Sequence, residues 1–392
     1  MLIVLVAVSL TPLIALGDEF VVTPSLAVKA EYNDNIFLSP DTIETESDYI
    51  TTVMPGLSLG KRNERMDLLL AAHLSWLTYR DKSELDDVDH DWRSSLGVKV
   101  AERTHMHAQA SYLRDSRPDR DVEMSEVVYG NDPLRRFNCG LTLMQDMSEE
   151  ARATVGYVYN QDLFAGNEDY DSTWHNVSLG LTAPVSRSLP NTKGRAGAQG
   201  LFYDAKDMRV LNASLTLGVQ QDISEALTFA VDAGPRFTTT EFQVFPPDHP
   251  EGRTNHETGV TGSASLTYRS EAARYDITLY QRLVSLSGTQ GVPERRSVRV
   301  ALNRRFSHEV RADLSAAYNL STSDRGDYSL DEIDEQLWWA QPRLTYEFTP
   351  EWSLAASYRF TKVRDLVPDE SKEQNRFILQ ITWAQPFRDL MF

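Results

Sequence analysis

This chain contains several runs of ten residues or more in which every second residue is apolar. From Met66 to Trp76 the even positions are Met, Leu, Leu, Ala, Leu and Trp, and the same rhythm returns at 151–160, 310–320 and 352–361. Successive side chains of a β-strand point to opposite faces, so each run predicts a strand with one apolar face. Strands of soluble sheets average about 5–6 residues, whereas a tilted strand that crosses a bilayer needs about 9–11. The runs therefore predict a transmembrane β-barrel.

The segments between these runs alternate in length. Short connections lie at 61–65, 147–150, 223–226, 270–273, 307–309 and 349–352. Long connections lie at 34–48, 81–91, 116–133, 164–172, 243–256, 286–294, 322–336 and 366–374. Outer-membrane barrels have short periplasmic turns and long extracellular loops. We predict an all-β, antiparallel up-and-down barrel of about 18 strands, or about 16 if the weakly patterned stretch 187–210 adds none.

The ends of the chain indicate export to the outer membrane. Residues 1–17 are almost entirely apolar, and Ala15 and Gly17 are small residues at the positions that a signal peptidase reads. We interpret 1–17 as a cleavable signal peptide and 18–392 as a single outer-membrane β-barrel domain. The terminal Phe392 resembles the assembly signal of outer-membrane proteins. The single cysteine, Cys139, excludes an internal disulfide.

Aromatic residues lie near the ends of the apolar runs. They are Tyr32, Tyr49, Trp76, Trp92, Tyr112, Trp174, Trp338, Trp352 and Phe360. Amphipathic rings settle at the depth of the lipid headgroups, so this placement predicts aromatic girdles. The expected partners of the outer surface are therefore outer-membrane lipid and lipopolysaccharide.

Charge is divided between the strands and the loops. The chain has 57 acidic and 39 basic residues, a net charge of −18, which argues against nucleic acid as a partner. The connections 34–48 and 81–91 are strongly acidic, whereas the polar parity of the strands is rich in arginine. If the apolar parity faces lipid, the lumen is net basic and attracts anions. The residues expected to contact a passing substrate are Arg282, Arg299, Arg305, Arg311, Arg343 and Arg359.

No catalytic residue, cofactor or metal site is predicted. The chain lacks a phosphate-binding loop, a Gly-x-Ser-x-Gly elbow and a His-Glu-x-x-His motif. His105 and His107 share the polar parity of one strand, but His73 lies two strands away, at roughly 10 Å. We interpret these histidines as polar residues of the lumen and expect the protein not to be an enzyme.

The first strand ends in a recognisable motif. Tyr32 to Phe37 read YNDNIF, and the next strand contains MPGLSL at Met54 to Leu59. These segments, together with the strand rhythm of the mature chain, resemble the putative β-barrel porin 2 family. The resemblance implies an outer-membrane barrel associated with exopolysaccharide export and exosortase systems. It also implies a polysaccharide substrate and a periplasmic polysaccharide-export protein as a partner.

Our leading hypothesis is a passive outer-membrane channel through which an exopolysaccharide crosses. The first alternative is a general diffusion porin for small anionic solutes, which requires a loop folded into the lumen; the loop 116–133 is the candidate. The second alternative is the barrel sheath of an extracellular electron conduit. It requires a multihaem partner, because this chain has no Cys-x-x-Cys-His motif. A structural or adhesive barrel is the third alternative.

Overall fold

The structure is a computed structural model that describes most of the chain. The described residues are 19–119, 133–166, 168–186, 188, 189, 191–243, 252–285, 291–367 and 369–388. The predicted signal peptide 1–17 and the terminal Phe392 lie outside the described residues. No helix in the described part of the chain is long and apolar enough to cross a membrane.

Eighteen long antiparallel strands account for most of the described residues. They are β1 (Glu19–Asn33), β2 (Asp48–Arg62), β3 (Met66–Tyr79), β4 (Asp87–Ala101), β5 (Thr104–Asp115), β6 (Leu134–Asp146), β7 (Arg152–Phe164), β8 (Ser172–Pro184), β9 (Thr192–Ala205), β10 (Met208–Asp222), β11 (Leu227–Phe242), β12 (Arg253–Arg269), β13 (Ala273–Leu283), β14 (Glu294–Arg305), β15 (Val310–Ser323), β16 (Ile333–Glu347), β17 (Trp352–Asp365) and β18 (Glu370–Ala384). A two-residue strand, β19 (Phe387–Arg388), follows, and short 3-10 helices lie at Ser83–Leu85 and Glu168–Tyr170.

The sheet closes on itself. Each strand pairs with its neighbours in sequence, and β1 also pairs with β18 along a register that runs from Ser25 opposite Ala384 to Asn33 opposite Arg376. The short β19 continues this seam by pairing with Val21 and Val22 of β1. Closure leaves no unpaired edge, which a β-structure in a bilayer requires. The predicted up-and-down barrel is confirmed, with 18 long strands.

The barrel is apolar outside and polar inside, the reverse of a soluble fold. Leu217 and Trp92 are 74% and 56% exposed on the outer surface, whereas Asn33, Arg295 and Thr361 are fully buried. Bands of exposed apolar side chains on this scale are suited to lipid. Most of the predicted girdle residues share this outer parity. The exception is Trp174, which lies opposite Tyr203 and packs in an apolar cluster inside the lumen.

The connections sort by length to the two ends of the barrel, as predicted. Residues 63–65, 102–103 and 270–272 are among the short turns at one end, which corresponds to the periplasmic side. Several loops are shorter than predicted because strands begin earlier: β4 starts at Asp87 and β18 at Glu370. The weakly patterned stretch 187–210 contains β9 and a two-residue turn, 206–207, at the long-loop end.

The loop after β1 turns into the lumen rather than out into solvent. Ile36 is 1% exposed and packs against Ile50, Leu77 and Tyr79, which are lumen-facing residues of β2 and β3. Two residues later, Leu38 packs against Leu337 and Val363 of β16 and β17, with Trp339 nearby. One short apolar segment therefore contacts both sides of the β1–β18 seam from inside. The long-loop end of the barrel is partly filled by its own chain.

Candidate functional site

The six arginines predicted to line the lumen all occupy lumen-facing positions. They are Arg282 on β13, Arg299 and Arg305 on β14, Arg311 on β15, Arg343 on β16 and Arg359 on β17. Directly paired residues of antiparallel strands share a face, and the register joins Arg299 to Thr278, Ala317 and, one strand further, Trp339. Their sequence neighbours Val298 and Leu344 are exposed on the lipid side. The predicted parity of this wall is confirmed by the register.

Strand β14 carries a column of arginines along the barrel. Arg295, Arg299 and Arg305 share the inner face of this 12-residue strand, so the column spans about 33 Å at about 3.3 Å per residue. Arg282 lies opposite Arg295 across the β13–β14 pair, and Arg311 lies opposite Arg305. The sequence analysis missed Arg295, because the apolar alternation of β14 begins only at Val298.

Most of these guanidinium groups have no carboxylate partner. Arg311 is paired with Asp313 at 3.4 Å, and Arg359 is 2% exposed and stacks over Trp339 at 5.2 Å. Among the described residues, no carboxylate lies within 4 Å of Arg282, Arg299, Arg305 or Arg343. We call these four the unpaired arginines. They leave an excess of positive charge on the inner wall of β13–β16.

The opposite side of the lumen carries carboxylates that the sequence analysis assigned to a loop. Asp87, Asp89 and Asp91 belong to β4, not to the predicted acidic loop 81–91, and their parity faces inward. Asp162 on β7 also faces inward. Each of these carboxylates contacts an arginine.

The contacts on that side are short and direct. Arg114 reaches Asp87 at 2.8 Å and Asp89 at 3.4 Å. Arg93 reaches Asp91 at 2.6 Å, and Arg136 reaches Asp162 at 2.7 Å. Charge on the β4–β7 side is thus largely neutralised within the wall. The uncompensated charge is positive and lies on β13–β16.

The start of the loop 116–133 enters the lumen and is fixed to the seam. Arg117 lies 3.2 Å from Glu31 of β1 and 3.0 Å from Asp119, and Arg376 of β18 lies 2.7 Å from Glu31 and 3.2 Å from Asp119. The side chain of Glu31 is fully buried. This loop is the candidate that the diffusion-porin alternative requires to fold inward; residues 116–119 do so, and residues 120–132 lie outside the described residues.

Two amides complete this seam cluster, which we define as Glu31, Asn33, Arg117, Asp119, Gln374 and Arg376. Asn33 and Gln374 each donate a hydrogen bond of 3.2 Å to the same carboxylate oxygen of Asp119. Burial alone would raise the pKa of Asp119, but Arg117 and Arg376 outweigh it, so the pKa lies below its ordinary value. The loop is therefore held by charged groups that stay ionised.

The YNDNIF motif builds the entry of the first loop. The side chain of Asn35 donates to the carbonyls of Ser39 and Glu373, both at 2.9 Å, and accepts from the Ser39 amide at 2.8 Å. Asp34 accepts from the backbone and side chain of Asn375 on β18. The motif thus links the end of β1 to β18 and directs Ile36 into the lumen.

The loops after β13 and β15 also enter the lumen and narrow it next to β9 and β10. Val292 and Tyr328, from the loops after β13 and β15, pack against Tyr203, Met208 and Val210 of β9 and β10. Arg236 of β11 hydrogen-bonds to Glu294 and stacks on Tyr328 at 4.9 Å. Its guanidinium crosses Gly259, where a Cβ would come within 2.7 Å of Nε. Glycine at 259 is therefore required by this close approach.

No metal site is formed by the predicted histidines. His73, His105 and His107 face the lumen, on β3 and β5. Among the residues that the structure describes, no group of three or more His, Cys, Asp or Glu residues is arranged to hold a metal ion. His105 instead lies 3.9 Å from Asp146.

The closed barrel, the first strand and its inward loop can now be compared with known families. Residues 14–178 match the family model of putative beta-barrel porin 2. The resemblance stated from Tyr32–Phe37 and Met54–Leu59 is confirmed over this part of the chain, and both motifs lie inside the matched region. The protein is an outer-membrane β-barrel of the porin-like channel type. No curated protein sequence matches the chain.

Solved outer-membrane barrels resemble the chain at low sequence identity. The outer membrane protein OpdK of Pseudomonas aeruginosa has 12% identity and a TM-score of 0.44, over 93% of this chain and 99% of that one. OccAB4 of Acinetobacter baumannii has 12% identity and a TM-score of 0.45, over 96% and 100%. The ferric citrate transporter FecA has 10% identity and a TM-score of 0.49, over 88% and 60%. The likeness is too distant to carry any functional property to this protein.

Proposed function

We propose that the protein conducts anionic solutes across the outer membrane along the inner wall of β13–β16. One observation carries this proposal: Arg282, Arg299, Arg305 and Arg343 face the lumen with no carboxylate within 4 Å among the described residues. A barrel of about 16–18 strands is wide enough for an aqueous lumen. Inside its low-dielectric shell, unpaired guanidinium groups attract carboxylates and phosphates through a planar fork of donors.

The seam cluster, two strands along the wall from β16, supports the same proposal. Arg117 and Asp119 bring a loop against β1 and β18, which narrows the passage available to solutes. A narrowed lumen brings each passing anion closer to the arginines, where Coulomb attraction is stronger. Solutes are thus expected to pass in contact with the wall rather than through its centre.

The test is ion selectivity of the purified protein in planar bilayers. Under a KCl gradient the reversal potential should indicate preference for chloride. A triple variant that carries Arg299→Glu, Arg305→Glu and Arg343→Glu reverses the charge at three positions, and it should abolish or invert that preference. The matched control is Arg304→Glu, because Arg304 is adjacent to Arg305 but faces away from the lumen. Cation preference of the unmodified protein would contradict the proposal.

We propose, as the second candidate, export of an anionic exopolysaccharide. Arg299 and Arg305 favour it, because a charged polymer that lies along β14 contacts both arginines at once. The family match is compatible with this role. A periplasmic polysaccharide-export protein would then dock at the short-turn end. Deleting the gene should remove surface polysaccharide, and normal secretion in a strain without a paralogue would exclude this candidate.

A further inference from the structure

A recess lies in the lumen wall, on the side of the barrel away from the inward loop after β1. The lumen-facing residues of β8–β13 enclose a cavity of about 300 Å³. Gly180 and Gly197 face this cavity and Thr216 borders it. The cavity exists because these residues have small side chains, and larger ones would fill it. The volume is at the lower end of the about 300–1,000 Å³ that is typical of small-molecule sites.

Tyr280 and Arg282 form one edge of the recess, and Arg299 of the neighbouring strand contacts the same tyrosine ring. The guanidinium carbon of Arg282 lies 4.4 Å from the ring centroid of Tyr280, and that of Arg299 lies 5.5 Å from it. Arg282 is two residues from Tyr280 toward the long loops, whereas Arg299 pairs with Thr278, two residues toward the short turns. The two charges therefore approach the ring from opposite directions along the barrel axis.

The ring holds both guanidinium groups in place by cation–π attraction. Neither group has a carboxylate partner among the described residues. The Nε atom of Arg299 is shielded from solvent and has no hydrogen-bond partner in the described part of the chain. Arg282 borders the cavity, and its fixed, uncompensated guanidinium group forms a site for a carboxylate, because its parallel donors match the two oxygens.

The other edge of the recess offers acceptors and hydroxyls. Asp232 of β11 lies 3.2 Å from Arg195 of β9 and accepts a hydrogen bond of 3.4 Å from Ser263. Thr182 and Thr216 also border the cavity. A carboxylate acceptor with several hydroxyls around it suits a ligand that carries many hydroxyl groups. With Arg195 balancing Asp232, the cavity keeps the positive charge of Arg282.

We propose that this recess is a binding site for a uronate residue, a sugar that carries a carboxylate. The carboxylate contacts Arg282, which borders the recess, and the sugar hydroxyls face Asp232 and the threonines. The site rests on the proposed conduction of anions and specifies one class of substrate for it. Neutral sugars lack the carboxylate and leave the guanidinium charge of Arg282 uncompensated, so they bind more weakly.

The test measures how strongly added sugars block the single-channel current through the full-length protein in planar bilayers. The probes are trigalacturonate and the neutral maltotriose. Trigalacturonate should half-block the current at a concentration about tenfold lower than maltotriose, because only its carboxylates form charge-assisted hydrogen bonds with a guanidinium group. Tyr280→Leu and Arg282→Gln should each weaken that block about tenfold, whereas Tyr280→Phe, which keeps the ring, should retain it.

The matched control is Tyr275→Leu, the same substitution on the lipid-facing side of the same strand. Its block should equal that of the unmodified protein. Equal block by both sugars, or full block in either Tyr280→Leu or Arg282→Gln, would overturn the site. Chloride preference that persists in that case leaves the proposed function standing, whereas its absence in the unmodified protein overturns the proposed function itself. Arg282→Gln tests the site if Tyr280→Leu does not fold.

Discussion

At the scale of single residues, Asn35 determines the path of the first loop. Its amide makes three hydrogen bonds to backbone atoms of Ser39 and Glu373, and the residue is 1% exposed. The backbone bend beyond it places Leu38 at a positive φ of 50°, an uncommon conformation for a branched side chain. Burial of Ile36 and Leu38 offsets that strain. The apolar packing of the loop and the hydrogen bonds of Asn35 therefore depend on each other.

We expect Asn35→Ala to release the loop without opening the barrel. Three lost hydrogen bonds at about 1 kcal/mol each leave buried backbone groups unsatisfied, so the local cost is about 2–4 kcal/mol. Chymotrypsin added to intact outer membranes should then cleave near Phe37 or Leu38. Asn63→Ala is the control, because Asn63 caps a short turn at the other end of the barrel. Equal protection in Asn35→Ala and the unmodified protein would show that the apolar packing alone holds the loop.

At the scale of elements, the loop after β5 is fixed by charge rather than by apolar packing. The seam cluster contains two arginines and two carboxylates from three separate parts of the chain. Removing one partner of a buried ion pair costs about 3–5 kcal/mol, because the remaining charge stays buried. The strands themselves do not depend on this cluster, since the β1–β18 ladder extends from Ser25 to Asn33.

Arg117→Ala should therefore detach the loop and leave the barrel intact. Glu31 and Asp119 would then share Arg376 as the remaining arginine of the cluster, and the loop end would lose its ion pair with Glu31 of β1. We expect a larger single-channel conductance with unchanged heat-modifiable migration on gels. Arg114→Ala is the comparison, because Arg114 pairs with Asp87 and Asp89 on β4 and not with the seam. Unchanged conductance in Arg117→Ala would mean that the loop end does not limit the passage.

The seam cluster should also resist mild acid. Arg117 and Arg376 lower the pKa of Asp119 despite its burial, so its folded pKa lies below the unfolded value of about 3.9. Such a group contributes its full stabilisation above the unfolded pKa and loses it as the pH falls through the lower folded pKa. We expect the conductance of the unmodified protein to stay constant from about pH 7 to about pH 5. A conductance step within that window would show that another group controls the loop.

At the scale of the whole molecule, the barrel and its charge pattern differ in how far the sequence predicts them. Period-two alternation predicts the strands, the closure and the inner face of the arginines, because these features are local. Asp87, Asp89 and Asp91 were assigned to a loop because an acidic lumen face has the composition of a solvated loop. Contacts such as Asn33 with Asp119, and Tyr280 with Arg299, depend on strand register and loop path, which leave no periodic signal.

The charge pattern of the whole barrel makes its selectivity depend on salt. The β4–β7 carboxylates are paired within the wall, so the field in the lumen comes mainly from the unpaired arginines of β13–β16. The Debye length is about 10 Å at 0.1 M and about 3 Å at 1 M, so these charges act across the lumen only at low salt. We expect the chloride preference to be strong at 0.1 M KCl and nearly lost at 1 M. In the combined variant of Arg299, Arg305 and Arg343 to Glu, the low-salt preference should invert and vanish again at 1 M. A preference that does not change with salt would indicate selection by direct contact at a narrow point, and not by the field of the arginine wall.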